Sequence, residues 1–200
     1  AMIFFQGHRC AVLNRIKPTA GSSLVVFGCG TVGMSAIMAA HLCPCKNIIA
    51  VGGNEESLVL AKELGATHTI NRKKCDCIVS EIKKITEGGA DYAIDTSGVP
   101  DFVKKALACV KFLGTAVVLG VTGELTIQVQ EELMGEGKSL IGIVEGDSNP
   151  KLFIPQLISY YRQGKFPFDK LIRVFEFDEI NEAFEASHSG KAIKALLKMR

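Results

Sequence analysis

Gly28-Cys29-Gly30-Thr31-Val32-Gly33 is the stretch of this chain whose residue types and spacing carry the clearest chemistry. It follows a short apolar run, Leu24 to Phe27, and opens Met34 to His41, a small-residue segment of helical character. In that setting each glycine has its own task. Gly28 permits a tight turn, Gly30 lets the main chain approach a pyrophosphate with no Cβ in the way, and Gly33 lets a helix pack close on a strand. The free N–H groups of the helix start, with about half a unit of positive charge, suit a diphosphate held against Thr31 and Val32. A bare G-x-G-x-x-G is often a plain turn, so the flanking strand and helix are what make this one a dinucleotide-binding corner.

A partner position lies about 20 residues further on, at the end of the second strand, where an acidic residue commonly bonds the ribose hydroxyls. Here it is Gly52, followed by Gly53 and Asn54, so nothing at that point repels a 2′-phosphate. Arg72, after the third strand, could reach such a phosphate or could be a solvated loop cation. Glu55 and Glu56 pull the other way, and the residues alone leave NAD and NADP both open.

Other chemistry is harder to assemble. The seven cysteines are scattered through apolar or helical stretches without the C-x-x-C pairing that zinc favours. Cys43-Pro44-Cys45 and Cys75-Asp76-Cys77 are isolated dithiols, read as partly buried free thiols. His41, His68 and His188 have packing or surface contexts, and no proton relay can be drawn among them. No catalytic residue and no metal ligand is assigned.

The corner has to be positioned by an alternating pattern, and the chain supplies one. Strands are expected at Leu24 to Phe27, Asn47 to Val51, His68 to Ile70, Tyr92 to Ile94 and Thr115 to Leu119. Between them fall helical segments: Glu55 to Leu64 stopped by Gly65, Cys75 to Thr86, and a helix opened by Pro100. Apolar strands separated by amphipathic helices imply a doubly wound parallel sheet, a three-layer α/β/α Rossmann arrangement, because each crossover helix must bury its stripe against the sheet. Further strands are expected at Thr126 to Val129 and Ser139 to Val144. Beyond them come a helix capped by Asn149, a strand at Leu171 to Phe177, a helix capped by Asp178 that packs Phe184, and a last strand at Ile193 to Lys198.

With 200 residues, 23 Lys and Arg against 21 Asp and Glu, and a net charge of +2, neither nucleic acid nor an anionic membrane is an expected partner. No apolar run reaches the roughly 20 residues that cross a bilayer. The unpaired thiols point to a reducing, cytoplasmic setting. Residues 1–8, AMIFFQGH, look like the remnant of a cleaved purification tag.

Four stretches together resemble the zinc-dependent medium-chain alcohol dehydrogenases: Val25 to Gly33, Ala61 to Thr67, Asp91 to Gly98 and Phe177 to Phe184. Gly142-Ile143-Val144-Glu145-Gly146-Asp147 adds a likeness to the aryl (benzyl) alcohol dehydrogenase group. The resemblance implies a Rossmann domain at residues 9–148 and, at 149–200, a C-terminal appendage from an otherwise missing GroES-like catalytic domain. It implies NAD as cofactor, with Gly120 and Val121 near the nicotinamide, Gly52, Gly53, Asn54 and Thr96 near the adenosine, and Lys194 either against the pyrophosphate or an exposed strand cation. It also implies zinc in the parent enzyme, whose last catalytic ligand would fall near Ile3, where no cysteine stands. The expectation is therefore a cofactor-binding fragment of an enzyme acting on an alcohol or aldehyde, inactive alone, and a homodimer joined through Ser139 to Val144. A stand-alone redox-sensing dinucleotide module is the alternative.

Overall fold

The computed structural model describes residues 11–199. The expected tag remnant at 1–8, with Ile3 and His8, lies outside the described residues. Six parallel strands, β1 (Ser23–Phe27), β2 (Asn47–Gly52), β3 (His68–Asn71), β4 (Ala90–Asp95), β5 (Val110–Val118) and β6 (Ser139–Gly142), form one sheet in the order β3-β2-β1-β4-β5-β6. Chain order reverses between β1 and β4, so the connections that leave their paired C-terminal ends run to opposite faces of the sheet and leave a crevice between them, the usual ligand position of an open α/β sheet.

Alternation along the strands explains the layers. Leu24, Val26, Ile48 and Ala50 point into one core, where α1 (Thr31–His41) and α2 (Glu55–Glu63) pack through Met34, Ile37 and Ala61. Val25, Phe27, Ile49 and Val51 point into the other, covered by α3 (Ile78–Ile85) and α4 (Pro100–Cys109) through Ile82, Ala106 and Leu107. Strands buried on both faces require apolar residues at consecutive positions, and β1 and β2 are buried along their whole length. The first core extends past residue 148, because α5 (Pro150–Arg162) adds Phe153 and Leu157 to it.

A separate two-stranded parallel sheet, β7 (Ile172–Glu176) with β8 (Lys194–Lys198), packs on α6 (Ile180–His188) around Phe175, Ala183, Ala186 and Ala192. It touches the β1–β4 crevice where the Thr31 hydroxyl donates to the Ile193 carbonyl at 2.9 Å.

Several expected elements differ. Thr126 to Val129 forms no strand; only Ile127 finds apolar cover, and the chain turns into a helical segment at Val129–Leu133 whose start is held by the Glu132 carboxylate accepting from Gln128 N–H. The third helix starts at Ile78, three residues later than the periodicity suggests, because Cys77 is extended. α6 is led in by a reciprocal box between Glu176 and Glu179 rather than by Asp178, and Phe184 is 69% exposed rather than packed. Among the described residues no helix is long and apolar enough to cross a membrane.

Candidate dinucleotide-binding site

The crevice is built from the ends of β1 and β4. Thr96, just beyond β4, donates both its N–H (2.9 Å) and its hydroxyl (2.8 Å) to the Phe27 carbonyl, so the two strand ends are bolted together where the chain leaves β1. Gly28 turns there with φ +104°, a backbone state that side chains resist, and a Cβ on it would stand 2.5 Å from Thr96 Oγ1. α1 then starts at once. A Cβ on Gly33 would lie 1.8 Å from the Gly28 carbonyl oxygen, so the helix sits as near the corner as bare backbone allows.

Gly30 is the contrasting case. It is the N-cap of α1, no side chain caps the helix, no acidic residue occupies the first turn, and a Cβ on Gly30 would meet nothing within 4 Å. The corner therefore presents open space in front of unpartnered helix N–H groups, a cradle that a side chain would fill. Thr31 and Val32 are half-buried beside it. The residues present fit a diphosphate.

At the end of β2, Gly52 is buried, and a Cβ there would stand 2.8 Å from Cys29 Sγ and 3.1 Å from Leu58 Cδ2. Burial pushes the Cys29 thiol up to about 12, so this sulfur is a packing group rather than a nucleophile. Asn54 caps α2, its side-chain oxygen accepting from Glu56 N–H at 2.8 Å. Arg72 follows β3, its N–H donating to the Gly52 carbonyl at 2.8 Å, and its guanidinium lies against Gly53 and over the Phe102 ring.

The loops after β4 and β5 form the other wall. Asp95, fully buried, accepts from Ser97 Oγ (2.6 Å), Ser97 N–H (3.2 Å) and Gly98 N–H (3.0 Å). This Asx-type turn makes Asp95 the organiser of the wall, a role the sequence reading missed although Asp-x-Ser-Gly is a legible turn signal. The two loops touch at backbone distance: a Cβ on Gly120 would meet Gly98 N at 2.2 Å, and one on Gly98 would meet the Val121 carbonyl at 2.3 Å. The Val121 side chain is fully exposed toward solvent, and Thr122 Oγ1 beside it is buried without a hydrogen-bond partner. Lys194, half-buried, follows directly on Ile193, whose carbonyl is tied to Thr31, so the C-terminal strand starts beside the corner.

A hollow of about 610 Å³ between Gly21, Lys46, Gly88, Asp91 and Phe112 opens at the opposite, N-terminal ends of the strands, away from this crevice. Among the described residues no three His, Cys, Asp or Glu side chains are grouped closely enough to hold a metal ion.

Residues 31–159 match the family model described as zinc-binding dehydrogenase. The chain belongs to the zinc-binding dehydrogenase family. Its relatives in that family include the geraniol dehydrogenase of Castellaniella defragrans, 36% identical over 189 residues that make up 94% of this chain and 51% of that protein. The crystal structure of benzyl alcohol dehydrogenase from Acinetobacter calcoaceticus superposes with a TM-score of 0.93 at 42% identity, over 98% of this chain and 54% of that one. An alcohol dehydrogenase zinc-binding domain protein from Burkholderia ambifaria gives the same TM-score at 41% identity, over 98% and 53%. The chain thus spans about half the length of the zinc-binding dehydrogenases it matches.

Proposed function

We infer that this chain is the cofactor-holding part of a zinc-dependent alcohol dehydrogenase, binding a nicotinamide dinucleotide across the β1–β4 crevice. The observation that carries this reading is the open, uncapped Gly30 corner, closed behind by Gly28 and Gly33. Helix N–H groups at residues 30 to 33 hold the pyrophosphate, with Lys194 supplying positive charge from the side. Gly52, Gly53 and Asn54 line the adenosine end, and Thr96, already spent on Phe27, holds the crevice open rather than binding by its hydroxyl. Gly120 and Val121 meet the nicotinamide end, where Val121 offers an exposed apolar side chain for the ring to cover and Thr122 Oγ1 an unused polar atom. When bound, the nicotinamide supplies or accepts hydride.

The substrate of the whole enzyme is a small alcohol or its aldehyde, in keeping with the alcohol dehydrogenases to which the chain is similar. The β7–β8 sheet supports a further domain: it has two strands, and Val174 on β7 is 61% exposed, whereas parallel sheets are normally covered on both faces. Residues 149–200 would then serve both parts, α5 belonging to the first core by packing. β6 leaves one edge of the main sheet unpaired, with Val144 beyond it 80% exposed, which supports a homodimer joined there. The free thiols among the described residues suit the cytoplasm.

Calorimetric titration with NADH, NADPH and ADP-ribose tests the binding claim; saturable one-to-one binding of all three is expected, and no heat from any of them would remove it. Benzyl alcohol with added zinc and either oxidised cofactor should give no turnover by this chain. Measurable reduction of the cofactor would contradict the assignment of metal chemistry to other residues.

A further inference from the structure

We propose that the adenosine end of this site selects the 2′-phosphorylated dinucleotide, NADP(H), with Arg72 as the ligand of the phosphate. The inference rests on the dinucleotide reading above and deepens it. An NAD-selecting site commonly sets a carboxylate at the end of β2 to accept from the ribose hydroxyls. Here that position carries no carboxylate, and a Cβ on Gly52 would have to displace Cys29 Sγ at 2.8 Å and Leu58 Cδ2 at 3.1 Å.

The opposite equipment is in place. The main chain of Arg72 is tied to Gly52, and its guanidinium reaches back over the next residue: Nε lies 2.8 Å, and Cζ and Nη2 3.2 Å, from a Cβ built on Gly53. Only a glycine at 53 lets the guanidinium lie so close. Phe102 supports it from beneath, with Cζ 5.6 Å from the ring centroid. Among the described residues Arg72 enters no ion pair, so its fork of donors is unspent, and a planar fork is the group best suited to a phosphate.

The acidic neighbours that would oppose a phosphate are largely answered. The Glu55 carboxylate is tied to Lys74 Nζ at 2.7 Å and to Asn71 Nδ2 at 2.5 Å, partners that hold it below the usual carboxylate range. Asp101 is spent on Lys105, whose ammonium lies 5.2 Å from the centroid of the same Phe102 ring. Glu56 remains, exposed and screened by solvent.

The test is calorimetric titration of the full 200-residue chain and its Arg72→Gln and Arg72→Lys variants with NADPH, NADH, 2′-AMP and 5′-AMP. The wild type should hold NADPH about tenfold or more tighter than NADH, and 2′-AMP tighter than 5′-AMP. Arg72→Gln should collapse that ratio to about one, and Arg72→Lys should keep part of it, as a charge without the fork. NADH binding as tightly as NADPH in the wild type, or a ratio untouched by Arg72→Gln, overturns the inference while leaving the dinucleotide site standing. Binding of neither cofactor overturns both.

Discussion

Gly33 and Gly28 approach so closely that a single added methyl group on Gly33 would sit inside the van der Waals shell of the Gly28 carbonyl. Neither the corner nor α1 can yield cheaply, because α1 is buried from Gly33 to Ala40. Gly33→Ala should therefore cost about 1–3 kcal/mol of stability, the usual range for overpacking a tight site. Urea unfolding reads this directly. An unchanged midpoint would mean that the helix does not seat on the corner as described.

Asp95 gives a second stability prediction, of a different kind. Its carboxylate is buried and accepts three hydrogen bonds from the Ser97–Gly98 turn. Asp95→Ala strands those donors and should cost about 2–4 kcal/mol, whereas Asp95→Asn retains one acceptor and should recover part of the loss. A deficit below about 0.5 kcal/mol in urea unfolding, the size of an ordinary surface change, would show that the turn holds itself without the carboxylate.

The contrast between these residues explains what the sequence could and could not reveal. The glycine corner and the strands beside it were legible because apolar runs buried on both faces look the same wherever they occur, and β1, β2 and β4 lie within a residue or two of expectation. Thr126 to Val129 misled because β-rich residues make a strand only if a neighbouring strand is there to pair, and this segment lies off the sheet. Phe184 misled because helical spacing cannot say whether the face it marks has anything to cover it. Cys29 under Gly52, and Arg72 against Gly53, were beyond reach, since both contacts join residues about 20 positions apart through side-chain directions that no local pattern encodes.

The thiols make a prediction in pH. Burial raises Cys29 and Cys109 to about 12, while hydrogen bonding with Ser80 lowers Cys77, which is exposed. A thiol whose folded value is raised stays protonated in the folded chain where the unfolded chain has ionised. Its contribution is complete below the ordinary thiol range and is lost as pH rises from there toward the folded value. Stability should thus fall above about pH 9, and less steeply in Cys109→Ala. In iodoacetamide labelling read by peptide mass, Cys77 should react first of the thiols among the described residues, and labelling of Cys109 ahead of Cys77 in the native chain would contradict its burial.

The unpaired edge of β6 predicts association. Ile143 N–H faces β5, donating to the Val118 carbonyl, so the alternate residues Gly142 and Val144 turn their N–H groups outward. Two copies pairing there should sediment as a dimer at micromolar concentration, and Val144→Lys, a charge on the edge, should shift the chain toward monomer. A wild-type chain that sediments only as monomer would rule out this edge as the interface.

Most direct of all is the behaviour of the corner amides. Backbone resonances of Cys29, Gly30, Thr31 and Val32 can be followed while ADP-ribose, which carries the pyrophosphate without the nicotinamide, is added to the wild type and to Gly30→Val. Since a Cβ on Gly30 meets no protein atom within 4 Å, the variant should fold normally. Those four amides should shift on titration in the wild type and stay nearly still in Gly30→Val. Unmoved amides in the wild type, or equal binding by the variant, would contradict a diphosphate seated on this turn.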